Sequence, residues 1–245
     1  MRHLAAVFLT NVSEVTSLAS SDVFRARKFT DIPFLSLDVE LNTSSPLSFA
    51  ISTGLGAIVD ELLLHLESGH RYAPDGDLST CLFVAASVNN FVVVRRLLDL
   101  GAEVDVPKGE KQLTPLHAAA ENGCDEVVTL LLQHGASPHA RSDSESTPFY
   151  RAARNGSIRT LRLLLEAGSE LDSKTWDSWT PLMEAVENEQ QQAVVKLLEW
   201  GADPAHISST GDTPLSLAYG AHQRQHLVSL ISEALSKRGV GAGAM

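Results

Sequence analysis

The stretch LTPLHAAAENG, residues 113–123, decides the fold because its opening residues return at a fixed distance along the chain. A Thr-Pro pair followed by an apolar residue begins at Thr114, Thr147, Thr180 and Thr213. A glycine followed by a small residue keeps step with this pair, at Gly101, Gly135, Gly168 and Gly201. Two independent markers that share a period of about 33 residues indicate an array of stacked structural repeats.

Weaker copies of the same unit precede the four clear ones. In Ser79-Thr80-Cys81-Leu82 the threonine lies about one period before Thr114, and in Ser45-Pro46-Leu47 the serine lies about one period before Thr80. An alanine lies five residues after each of the six starts, and a leucine-rich pair begins seventeen residues after each start. We therefore count six units between residues 45 and 237.

The sequence of each unit predicts two helices joined by a short turn. The threonine suits an N-cap, and proline suits the first helical position because its missing N–H group would have no partner there. A short alanine-rich helix follows and ends at a pair such as Asn122-Gly123. Apolar residues at helical spacing in Glu126–Leu132 then predict a second helix with one buried face. A single unit cannot bury that face, so stacking of units must form the core.

The repeats resemble the ankyrin-repeat family. The family signature T-P-L-H-x-A stands here as Thr114–Ala119, and the Gly-Ala-Asp turn stands as Gly201–Asp203. The resemblance extends over about residues 45–237 and implies an all-α solenoid of about six helix-turn-helix units with protruding finger loops. This sequence departs from the family pattern in two ways: Cys81 replaces the proline of unit two, and only unit three has the signature histidine. These departures affect local rigidity but not the fold.

Composition narrows the class of protein. Hydrophobic residues make up 44% of the chain, enough for a sizeable core, and the net charge of −11 disfavours a nucleic-acid partner. Cys81 and Cys124 fit neither a metal-binding spacing nor a disulfide framework, which favours a reducing compartment. The apolar run Leu4–Leu9 is too short for a membrane span. We expect a soluble intracellular protein of the cytoplasm or nucleus that is monomeric on its own and does not insert into a membrane.

Histidines are the first candidates for catalytic bases or metal ligands. His117 could act as a general base, but its place at the third helical position after Thr114 favours a structural role like that of the family histidine, which hydrogen-bonds across the repeat's loop. His222 and His226 have a metal-ligand spacing on the last helix, yet no third ligand accompanies them. Motifs for nucleotide binding or nucleophilic catalysis are absent from the sequence. We therefore expect no metal and no cofactor.

The resemblance implies that a protein partner binds on a concave surface formed by the fingers and by the exposed positions of the first helices. The finger positions are Glu110, Lys111 and Leu113 in unit three, Asp143, Ser144 and Ser146 in unit four, Trp176, Asp177 and Trp179 in unit five, and Ser209, Thr210 and Asp212 in unit six. The helix positions are Glu121, Arg151, Arg154, Glu184 and Glu187. The predicted contact set is Glu110, Lys111, Asp143, Ser144, Arg151, Arg154, Trp176, Asp177, Trp179, Glu184 and Glu187.

The tryptophans and the charged helix residues of this set lead to two specific predictions. Two of the three tryptophans of the chain lie on one finger, and exposed aromatic side chains are enriched in binding hot spots. We expect one ring to fold back onto the neighbouring repeat and the other to face a partner. Arg151 and Arg154 occupy the same phases as Glu184 and Glu187, which predicts a charge ladder between repeats, although the same residues could set the register of a partner.

Three functions are consistent with the sequence. The first is a protein-interaction scaffold or adaptor that binds a segment of some basic character. The second is an enzyme or small-molecule-binding protein that uses an acid–base set of Asp143, Arg154, Asp177 and Glu187. The third is an adaptor of a ubiquitin ligase, which requires residues 1–44 to form a recruiting module.

The two ends of the chain fall outside the regular pattern. Residues 1–44 fit a terminal cap or lead-in, although residues 18–29 resemble the end of an F-box. Residues 238–245 predict a flexible tail, which begins with the polar and Gly-Ala residues after the last helix.

Overall fold

Twelve helices, arranged as six consecutive pairs, make up the part of the chain that the structure describes. The structure is a computed structural model, and it describes residues 46–54, 56–67, 78–220 and 224–239. The pairs are α1 (Pro46–Ser52) with α2 (Gly56–Glu67), α3 (Leu78–Ser87) with α4 (Phe91–Asp99), α5 (Pro115–Glu121) with α6 (Asp125–Gln133), α7 (Pro148–Asn155) with α8 (Ile158–Glu166), α9 (Pro181–Glu187) with α10 (Gln191–Trp200), and α11 (Pro214–Tyr219) with α12 (Gln225–Lys237).

The repeated Thr-Pro pair starts the first helix of units three to six. In units four, five and six the threonine hydroxyl accepts the backbone N–H of the third helical residue, from Tyr150, Met183 and Ser216. Proline occupies the first helical position in each of these units. In unit three the backbone N–H of Thr114 donates to Nδ1 of His117, 3.2 Å away. The predicted helix start is therefore confirmed in all four units.

Unit two starts differently from the pattern. The spacing predicts a start at Thr80, but α3 already begins at Leu78 and contains both Thr80 and Cys81. Cys81 keeps the backbone N–H that proline would lack, and it has no ring to clash with the preceding turn. Without proline, nothing stops the helix from beginning before Thr80.

The core lies between a layer of first helices and a layer of second helices. The first helices α1, α3, α5, α7, α9 and α11 pack one against the next, and so do the second helices from α4 to α12. Alanines such as Ala119, Ala152 and Ala185 are fully buried where the first helices meet, since a small side chain permits close approach. The leucines of the second helices complete one apolar cluster that runs through all six units.

The fingers are four short hairpins that precede the first helices of units three to six. Their closing residues are Lys108 and Leu113, Ser142 and Ser146, Thr175 and Trp179, and Ser208 and Asp212, each joined by a backbone hydrogen bond of 2.8–3.1 Å. The finger of unit three holds one residue more than the later fingers, which accounts for the slightly longer interval between Gly101 and Gly135. Backbone N–H groups also link each finger to the one before, from Asp143 to Lys111, from Trp176 to Ser144 and from Ser209 to Asp177.

The end of the described chain is tied to the repeats. Lys237 still belongs to α12, and Arg238 donates to the carbonyl of Gly201 and lies 3.3 Å from the Asp203 carboxylate. Through this side chain, the first residue after α12 contacts unit five. Residues 240–245, together with the cap and F-box hypotheses for residues 1–44, lie outside the described residues.

Gly156 should tolerate alanine less well than Gly168, although both glycines end a helix with a positive φ, of 75° and 95°. A Cβ at Gly156 would overlap the side-chain carbonyl of Gln190, whose amide donates to the Arg154 carbonyl, whereas a Cβ at Gly168 meets nothing within 4 Å. We expect Gly168→Ala to cost about 1 kcal/mol of unfolding free energy and Gly156→Ala about 2 kcal/mol. Urea denaturation would measure both, and equal losses would contradict this contact.

Candidate functional site

His117 has a structural role in unit three. The side chain is fully buried, and its Nε2 lies 2.9 Å from the carbonyl oxygen of Ser146. Since a carbonyl can only accept, Nε2 carries the proton and Nδ1 accepts from Thr114. The ring thus joins the start of α5 to the next finger, which confirms the structural interpretation. Burial, assisted by the charge of Arg151, lowers the pKa of His117 from 6.5 to about 4 despite the hydrogen bond to Ser146.

A pocket of about 380 Å³ opens between the fingers of units four and five, above helices α7 and α9. We call it the Trp pocket. Its lining comprises Ser144, Tyr150, Arg151, Arg154, Thr175, Trp176, Asp177, Trp179, Glu184, Glu187 and Asn188. Eight of these residues belong to the predicted contact set, because equivalent positions of adjacent repeats lie side by side. The sequence analysis missed Tyr150, Thr175 and Asn188.

The two tryptophans of the finger differ in exposure. The Trp176 side chain is 73% exposed at the rim of the pocket, whereas Trp179 is half-buried. The two residues thus differ in exposure as expected, whereas contact of one ring with a partner stays a prediction. Trp179 closes the base of its hairpin, where its carbonyl accepts the N–H of Thr175.

The same geometry corrects two predicted finger positions. Leu113 and Ser146 were expected to be exposed, yet both are buried. Each occupies the position that Trp179 holds in its own finger, directly before the capping threonine. Leu113 packs with Phe83 and Ala118, and Ser146 accepts hydrogen bonds from His117 and from Nε of Arg151.

A ladder of alternating charges crosses the floor of the pocket. Glu121 of unit three lies 3.6 Å from Arg151 and 3.8 Å from Arg154 of unit four, and Arg154 lies 3.6 Å from Glu184 of unit five. Of the ladder predicted between Arg151 and Arg154 of unit four and Glu184 and Glu187 of unit five, the structure contains the pair of Arg154 with Glu184. Arg151 instead lies next to Glu121, and Glu187 lies next to Arg224. Arg151 and Glu184 were also expected to be exposed, and this is wrong: the fingers and the neighbouring helices cover both.

Tyr150 extends this network at a position that the sequence analysis did not select. Its hydroxyl donates to Oε2 of Glu184 over 2.6 Å. Burial, and then the adjacent Glu184 carboxylate, raise the pKa of Tyr150 well above its usual value, so the hydroxyl stays protonated at neutral pH. Tyr150 holds the phase that His117 holds one repeat earlier, and this shared phase was the available signal.

Glu187 is paired with a residue outside the repeated pattern. Arg224 lies 2.6 Å from its carboxylate and also donates to the Glu187 backbone carbonyl over 2.7 Å. Arg224 directly precedes α12, and the equivalent positions of units three to five hold Asp125, Ile158 and Gln191, none of which is basic. No periodic argument could have identified this partner.

Three members of the predicted contact set lie outside the Trp pocket. Glu110 and Asp143 are exposed on the fingers of units three and four, and Lys111 is half-buried beside them. The acid–base set of Asp143, Arg154, Asp177 and Glu187 is therefore not gathered in one cavity. Within that set, Arg154 and Glu187 are engaged in ion pairs with their neighbours.

Comparison with known proteins identifies the repeat. A family model described as "Ankyrin repeats (3 copies)" matches residues 47–142 and 137–208, more than half of the chain. The chain belongs to the ankyrin-repeat family. In ankyrin terms, the Trp pocket lies on the finger-and-groove side of the fourth and fifth repeats, and ankyrin repeats bind other proteins.

Similar curated proteins share the ankyrin repeats with this chain. Ankyrin repeat and SOCS box protein 5 of Bos taurus is 49% identical over 65 residues, which cover 26% of this chain and 19% of that protein. Ankyrin repeat and SOCS box protein 11 of Homo sapiens is 35% identical over 104 residues, 42% of this chain and 31% of that protein. Alpha-latrocrustotoxin-Lt1a of Latrodectus tredecimguttatus is 33% identical over 112 residues, which cover 45% of this chain and 8% of that protein. The matches thus span less than a third of each relative.

The described residues lack two other kinds of site. Among these residues, no helix combines the length and the apolar character that a bilayer crossing requires. Nor does this part of the chain bring together three His, Cys, Asp or Glu side chains in a way that could hold a metal ion. His226 is exposed on α12, and His222 lies outside the described residues.

Proposed function

We propose that this chain is a protein-interaction module whose partner docks over the Trp pocket. The observation that carries the proposal is Trp176, whose indole is 73% exposed at the rim of a 380 Å³ cavity. Leaving so large an apolar surface in water costs free energy, and tryptophan is the residue most enriched in binding hot spots. A ring that neither packs on the core nor caps a helix is free to contact a partner.

The framework around Trp176 suits recognition because it is already ordered. The backbone of the Trp176 finger is joined to the finger before it through Ser144 and to the finger after it through Ser209. A binding surface that is rigid before association loses less conformational entropy on binding. The ion pairs beneath it fix the pocket floor in the same way.

The relatives support the same class of function. By their names, two of them combine ankyrin repeats with a SOCS box, and a rice relative combines ankyrin repeats with a BTB/POZ domain. The match to this chain falls within a short part of each protein. Ankyrin repeats that accompany different named modules are suited to serve as the binding part of a larger assembly.

Trp176→Ala should weaken partner binding about 30-fold, since removal of a hot-spot side chain costs about 2 kcal/mol. Proteins retained by the immobilised wild-type chain would be identified, and the affinity of each for wild type and variant would be measured by calorimetry. The melting temperature should stay within about 1 °C, because an exposed side chain contributes little to folding. Trp179 is unsuitable for this test because it is half-buried.

Val92→Ala provides the matched control for this prediction. Val92 is 64% exposed on α4, away from the fingers, so its truncation removes apolar surface of no proposed role. Affinity should be unchanged in this variant. A Trp176→Ala protein that binds every retained partner as tightly as wild type does would refute the proposed site.

A further inference from the structure

We infer that the Trp pocket receives an arginine side chain from the docked segment, an inference that rests on the proposed function. The pocket volume of about 380 Å³ is at the lower end of the range of roughly 300–1,000 Å³ for ligand pockets. It therefore suits one long side chain rather than a folded element. The identity of that side chain follows from the charges and the ring that surround the cavity.

The charge of the lining favours a cation. The lining holds the carboxylates of Asp177, Glu184 and Glu187. Glu184 is paired with Arg154 and Glu187 with Arg224, so the negative charge without a partner among the described residues is that of Asp177. The guanidinium groups of Arg151 and Arg154 are already next to carboxylates of the ladder, at 3.6–3.8 Å. An anion drawn to Arg154 would have to enter beside Glu121 and Glu184, and this repulsion disfavours an acidic ligand.

Asp177 supplies the carboxylate that an incoming guanidinium can use. Its backbone carbonyl accepts hydrogen bonds from the N–H and the hydroxyl of Ser209, both over 3.0 Å, so its backbone position is fixed. Its exposed carboxylate makes neither an ion pair nor a hydrogen bond with any residue that the structure describes. A fixed backbone with an unengaged carboxylate leaves room for a charge-assisted hydrogen bond to a partner.

Trp176 adds the surface that distinguishes arginine from other cations. Trp176 immediately precedes Asp177 in the sequence, and both residues line the pocket. Tryptophan is the strongest aromatic partner for a cation. A guanidinium is planar and weakly hydrated, so it can stack on the ring while its edge donates to a carboxylate. The exposed acids Glu110 and Asp143 and the net charge of −11 would attract a basic segment at long range.

Selection from a displayed library of random linear peptides would test this inference. Peptides enriched on the wild-type chain, but not on Trp176→Ala, should share an arginine. Replacing that arginine by the neutral isostere citrulline in a synthetic peptide should weaken binding about tenfold. The Asp177→Asn variant should lose affinity for the arginine peptide and bind the citrulline peptide as wild type does. Glu126→Gln removes an exposed carboxylate on α6, outside both the pocket and the predicted contact set, and should change either affinity less than about twofold.

The outcomes separate this inference from the proposed function. Enriched peptides that depend on Trp176 but are acidic or wholly apolar would overturn the arginine assignment and leave the docking site in place. Peptides that bind wild type and Trp176→Ala equally, or no enrichment over that variant, would count against both. An arginine peptide whose affinity is unchanged by citrulline would also overturn the inference.

Discussion

Arg151→Met should lower the free energy of unfolding by about 3 kcal/mol, the largest effect we expect from a single substitution in the charge ladder. The Arg151 side chain is only 9% exposed, and its Nε donates to the Ser146 hydroxyl over 3.1 Å. Methionine fills similar space but leaves Glu121, whose side chain is 16% exposed, with only the more distant Arg154. Oε2 of Glu121 has no hydrogen bond within the described residues, so the lost Coulombic contact has no substitute.

Two further variants isolate the cause of that loss. Arg159→Met removes an arginine that is 77% exposed and lies 3.7 Å from Asp125, so it should cost less than about 1 kcal/mol. The double variant Arg151→Met with Glu121→Leu should be more stable than Arg151→Met alone, because no buried charge is left without its partner. Urea denaturation of the four proteins gives the comparison. Similar losses for Arg151→Met and Arg159→Met would contradict a buried ladder.

The free energy of unfolding should fall by about 2–3 kcal/mol between pH 7 and pH 4.5 through His117 alone. Burial lowers the pKa of His117 in the folded chain from 6.5 to about 4. Below pH 6.5 the unfolded chain therefore binds a proton that the folded chain excludes, and acidification favours unfolding. This loss begins near pH 6.5 and is complete only once the pH has fallen below about 4, where the folded chain is protonated as well.

His117→Ala makes the pH effect visible against the other titrating groups. At pH 7 the variant should be less stable by about 3 kcal/mol, because it loses two hydrogen bonds and leaves a cavity in the buried loop contact. The wild-type advantage should shrink as the pH falls toward about 4.5, so the two stability curves converge. Urea midpoints measured at several pH values would show this. Parallel curves would contradict a depressed pKa at His117.

The repeat period made most of the fold predictable from the sequence. The Thr-Pro helix start, present four times, sets the phase of these units, and the phase places Arg151 and Arg154 of unit four beside Glu184 and Glu187 of unit five. The structure pairs Arg154 with Glu184. The same reasoning brought eight of the predicted contact residues to one pocket. Periodicity is informative here because each repeat contacts its neighbours through equivalent positions.

The period could not predict features that depend on local hairpin geometry. Leu113, Ser146 and Trp179 share one phase, and each closes a hairpin directly before a capping threonine. That position faces the repeats, so exposure inferred from loop membership was wrong for Leu113 and Ser146. The contact of Arg224 with Glu187 could not be predicted either, since no other unit has a basic residue at the phase of Arg224.

The central claim is that a partner occupies the space in front of the Trp176 finger, and photo-crosslinking tests it most directly. A benzophenone amino acid would replace Asp143, which is exposed on the adjacent finger outside the pocket, or Val92 on α4. With a retained partner, irradiation should give an adduct from position 143 and none from position 92. An adduct from position 92 alone, in a complex that forms normally, would contradict the account.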